Sequence, residues 1–66
     1  MDFTKDDLTE AKRQIDSTLH KLRETCKTLR EKEHPERYKS QITLAERRIR
    51  AFELANRLIQ RELEGF

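Results

Sequence analysis

Apolar residues recur every seven positions at Leu8, Ile15, Leu22 and Leu29, with Leu19 and Cys26 falling between them. Alternating steps of three and four place this series along one face of a helix. A second series runs through Tyr38, Ile42, Ala45, Ile49, Phe52, Ile59, Leu63 and Phe66, and its one gap falls at Asn56. Between the two stands Pro35, which cannot continue a helix but suits the first turn of one. The pattern predicts a first helix over about 4–33, a turn at about 33–36 and a second helix over about 35–64. Thr4 and Asp7 have capping-box spacing, and Phe3 and Leu8 occupy the two positions of a hydrophobic staple. Gly65 marks the expected stop of the second helix.

So short a connection makes the helices antiparallel neighbours. The expected fold is all-α, one helical-hairpin domain over residues 1–66. A register that sets Cys26 opposite Ile42 and Leu19 opposite Ile49 also sets Lys12 opposite Asn56. The one polar break in each seam then falls in a single layer, so Lys12 and Asn56 are expected to form a polar layer inside the core.

A lone hairpin leaves both seams half covered, and a chain this short buries too little apolar surface to be robust alone. The second helix carries more apolar residues than its seam requires. Leu44, Ala51 and Leu58 repeat at seven-residue spacing with Ala55 beside them, while the first helix offers Ala11, Thr18 and Thr25 as small flanking residues. A stripe wider than one neighbour needs predicts a second neighbour, and another copy of the chain is the simplest. The expected assembly is a homodimeric four-helix bundle joined through Leu44, Ala51, Ala55 and Leu58. The alternatives are a monomer with one greasy side, or a different protein seated on that stripe.

Composition agrees with long helices. Of 66 residues, 42% are charged and 33% hydrophobic, with one glycine, one proline and no tryptophan. These values exclude a β-rich fold, and they argue against an enzyme because so few apolar groups cannot enclose a pocket. No apolar run exceeds two residues, so neither a membrane span nor a signal peptide is expected. The single cysteine, Cys26, suits a reducing compartment, and the expected location is the cytoplasm. As a seam residue it reads as a small buried hydrophobe.

The net charge is +2, and the whole surplus lies after Glu33. Much of it comes from a ridge on the second helix, where Arg47, Arg50, Arg57 and Arg61 surround Leu54 at steps of three and four. Arginine forks suit phosphates and carboxylates, so the ridge is a candidate polyanion-binding surface. Against this, Glu46 precedes Arg50 by four and Glu53 precedes Arg57 by four, which predicts intrahelical ion pairs on an ordinary solvated face. No aromatic residue interleaves the ridge for base stacking. No catalytic group, cofactor, metal or small-molecule substrate is expected. The sequence therefore reads as a non-catalytic module that associates with itself and with proteins. A nucleic-acid-associated accessory protein using the arginine ridge is the alternative.

Overall fold

The computed structural model describes residues 3–66, and its regular structure is entirely helical. Thr4 opens the first helix as its spacing predicts. Its hydroxyl accepts the Asp7 amide at 3.0 Å, and the Asp7 carboxylate accepts the Thr4 amide at 3.0 Å. This reciprocal pair satisfies two of the amides that a helix start leaves without partners. Helix α1 then runs over Lys5–Arg30, with Asp6 and Asp7 in its first turn and Lys27 and Arg30 in its last. Each charge complements the dipole at its own end.

The helix stops at Arg30, about one turn short of the predicted end near residue 33. The residue before a proline is driven away from helical geometry, and His34 sits at φ −127° and ψ 74°. The chain must also cross the 8–10 Å that separates packed helix axes, which takes about three extended residues. Residues 31–34 supply that crossing. Pro35–Tyr38 then form a 3-10 turn, and the second α-helix, α2, spans Lys39–Glu64. Proline does initiate the second helical segment, but in the tighter winding. At the far end Gly65 has φ −85°, an ordinary right-handed value, so the stop does not use the left-handed conformation. Instead the amides of Gly65 and Phe66 donate to the carbonyls of Glu62 and Leu63, at 3.1 and 3.2 Å.

The two helices pack against each other in opposite directions. Arg23 pairs with Glu53 at 2.8 Å and Arg30 with Glu46 at 3.1 Å, so ascending positions on α1 meet descending ones on α2. The result is a rod of 48 × 17 × 15 Å. Its core is slight. Leu8, Leu19, Cys26 and Ala45 are buried, and Cys26 is a free thiol only 3% exposed. The other seam residues from Ile15 to Leu63 are half-buried, and Phe66 at the end of the second series is exposed. Two helices can cover each other along one line of contact only.

Candidate functional site

Three surfaces of the rod carry chemistry beyond packing. The first is the polar layer. Lys12 and Asn56 are not joined directly, because Asp16, one turn further along α1, stands between them. The Asn56 amide donates to Asp16 Oδ1 at 2.6 Å, and the Lys12 ammonium reaches Asp16 Oδ2 at 3.3 Å. Asn56 Oδ1 is buried without a hydrogen-bond partner among the described residues. The seam periodicity places Asp16 just outside the apolar stripe, and there its side chain is exposed, reaching Asn56 from the rim of the layer. Its position four residues after Lys12 was the available signal.

The Asp16 carboxyl is held below its ordinary value of 3.8, chiefly by the hydrogen bond from Asn56; desolvation opposes this shift and Lys12 adds to it. A carboxylate with a depressed folded pKa stabilises the fold fully above its unfolded value. That contribution is lost as pH falls through the folded value. Between about pH 5 and about pH 2.5, the thermal midpoint of the protein is therefore expected to fall more than that of Asp16→Asn. Equal pH dependence of the two melting curves would show that the layer holds nothing together.

The second surface is the flank where α1 and α2 are cross-linked by charge. The intrahelical pairs expected for Glu46 with Arg50 and Glu53 with Arg57 do not form. Glu46 turns to Arg30 and Glu53 to Arg23, both on the other helix. An exposed i,i+4 pair contributes only about 0.3–0.5 kcal/mol, so a competing partner across the flank readily displaces it. Arg50 and Arg57 are consequently left without a carboxylate partner among the described residues, as are Arg47 and Arg61. An open groove of about 610 Å³ runs beside this flank, with Cys26 and Ile49 among its lining and Arg23, Arg30, Arg47 and Arg50 along it. A smaller hollow of about 250 Å³ adjoins it, lined by Arg50, Glu53, Leu54 and Arg57. Leu54 is 61% exposed there.

The third surface is apolar. Leu44 and Leu58 are 47% and 52% exposed, Ala51 is exposed and Ala55 is half-buried. At about 100° per residue these four lie roughly a third of the way around α2 from its seam, on the side away from the ion pairs. On that same side of the rod α1 places Ala11, Thr18 and Thr25. The Thr25 hydroxyl donates to the Lys21 carbonyl of its own helix at 2.9 Å, so what remains for a neighbour is its methyl group. Among the described residues, every side-chain hydrogen bond and ion pair between the helices lies on the opposite flank.

No group of three or more potential metal ligands occurs among the described residues. Glu31 and His34 have the three-residue spacing of a carboxylate–histidine ligand pair, but both lie in the crossing between the helices, where His34 Nδ1 faces Glu36 at 3.3 Å. No helix is long and apolar enough to cross a membrane among the described residues. No protein family matches the chain, and no curated protein or solved structure is significantly similar to it.

Proposed function

We propose that this protein is a non-catalytic helical interaction module that pairs with a second copy of itself to form a four-helix bundle. The observation that carries this reading is the uncovered apolar stripe of Leu44, Ala51, Ala55 and Leu58 on the side free of cross-helix polar contacts. The surface area agrees with it. The hairpin exposes 5621 Å², roughly 1,200 Å² more than a compact monomer of its mass. A standard interface removes about 800 Å² from each partner. Pairing through the stripe would bring that surplus close to what a compact chain exposes, and the small residues of α1 allow the helices to approach closely. A reducing cytoplasm suits the unpaired, buried Cys26.

Sedimentation equilibrium over a hundredfold range of concentration tests the proposal. The expected species is helical and of about 16 kDa, twice the chain mass, and it dissociates only on dilution. A helical monomer of 8.0 kDa at every concentration would overturn it.

A second reading, binding of a polyanion by the ridge, gains support from one observation. The two glutamates that would have neutralised Arg50 and Arg57 are engaged elsewhere. On either reading the ridge is the face of α2 left to solvent once its seam and its apolar stripe are covered.

A further inference from the structure

The pairing of the two helices follows a simple rule. On α1, Arg23 and Arg30 stand seven residues apart with Cys26 between them; on α2, Glu46 and Glu53 stand seven apart with Ile49 between them. The arginines grip the glutamates in antiparallel order at 2.8 and 3.1 Å. Seven residues are two helical turns, about 10.5 Å, so each charge meets its mate at the same rise along both axes. The apolar residues between them lie against the shared core.

The outer face of α2 carries a related half, with the apolar residue four rather than three positions after the first charge. Arg50 and Arg57 are again seven apart, with Leu54 between them, and the three line one hollow. Here the acidic half is missing. We infer that this ridge docks a third helix from another protein, an amphipathic one carrying two carboxylates seven residues apart with an apolar residue between them. Its carboxylates would take Arg50 and Arg57, its apolar residue would cover Leu54, and Arg47 and Arg61 would extend the grip by one turn at either end.

A second copy of this chain is a poor mate for the ridge. Apart from Glu46 and Glu53, which are already engaged, the seven-spaced acids in the sequence are Glu24 and Glu31. Lys27 and Thr28 stand between those two, where the rule calls for an apolar residue, and Glu31 lies past the end of α1. A nucleic-acid backbone fits less well than an acidic helix. Glu53 borders the hollow and opposes either anion alike, but a phosphate chain gives Leu54 nothing apolar to bury against. The surface is separate from the stripe proposed for self-association, so the two ideas fail independently.

The probe is an Ala-rich, fluorescently labelled helical peptide of about 20 residues, built around Glu-x-x-Leu-x-x-x-Glu and read by fluorescence anisotropy. The wild-type protein should bind it, and the affinity should fall as salt rises. The double variant Arg50→Glu with Arg57→Glu should bind at least tenfold more weakly. A peptide with both glutamates changed to lysine should then recover binding to that variant and lose it to the wild type. Both substitutions place good helix formers on an exposed face, so helicity and sedimentation mass should stay at wild-type values. Equal affinity for the acidic peptide and its glutamate-to-alanine counterpart would overturn the inference. So would an oligonucleotide of about 20 nucleotides that binds more tightly than the peptide and is released by the same double variant.

Discussion

Leu58→Glu is expected to convert a species of about 16 kDa into the 8.0 kDa chain at micromolar concentration. Leu58 is 52% exposed in the hairpin, so a carboxylate there stays hydrated while the chain is alone. Glutamate is also a good helix former, and the substitution removes little that the hairpin itself depends on. In the proposed bundle the same side chain is covered by Leu44 and Ala51 of the partner, where an unpaired charge costs several kcal/mol. The loss should exceed a hundredfold in dimer affinity, since each 1.4 kcal/mol is a factor of ten. Arg50→Glu with Arg57→Glu serves as the control, because it alters two charges on the neighbouring face without touching the stripe. Sedimentation equilibrium separates the two: mass halves in the first and is retained in the second. If Leu58→Glu sediments as the wild type does, the stripe is not where the copies meet.

Leu19→Ala is expected to do more than weaken the protein; helical signal at room temperature should be largely lost. Leu19 is 4% exposed and is one of four buried residues among those described. Removing a buried leucine side chain costs about 2–5 kcal/mol, and a core this small rarely supplies more than about 3–5 kcal/mol in total. The neighbouring seam residues are half-buried and have no tight wall against which to collapse. Leu54→Ala is the matched control, since that leucine is 61% exposed and its truncation should change the melting temperature little. Far-ultraviolet circular dichroism with thermal melts distinguishes the two. If Leu19→Ala keeps a cooperative transition close to that of the wild type, the hairpin is held by more than the seam.

The seams were legible because a three–four spacing has only one economical structure. Leu8, Leu19, Cys26 and Ala45, the buried residues among those described, all belong to the two predicted series, and Thr4, Asp7 and Pro35 announced where helices begin. Where α1 ends was not legible. After Leu29 the residues are polar as far as Pro35 and none of them is a helix breaker, so the sequence carries no local instruction to stop at Arg30. The length of chain needed to reach the second helix decides it. The same limitation explains the polar contacts. The partners of Glu46 and Glu53 depend on how the helices sit side by side, whereas spacing along one helix describes only that helix. The place of Asp16 follows the same logic: it lies exposed at the margin of its helical face, and only the position of Asn56 on the other helix makes it a partner.

The unequal use of polar groups by the two helices has a practical side. On α1, Glu10 is engaged by Arg13 and Gln14, Lys12 by Asp16, and the other cross-helix groups face α2. Its outward surface carries charges of both signs and none of the exposed large apolar side chains. On α2, one face meets α1, one is left apolar and one is left cationic, which accounts for nearly the whole circumference. A dye or spin label carried at Ser17 or Lys21, both exposed on α1, would sense an arriving partner from a bystander position. The same label almost anywhere on the middle of α2 would become part of the encounter it was meant to observe.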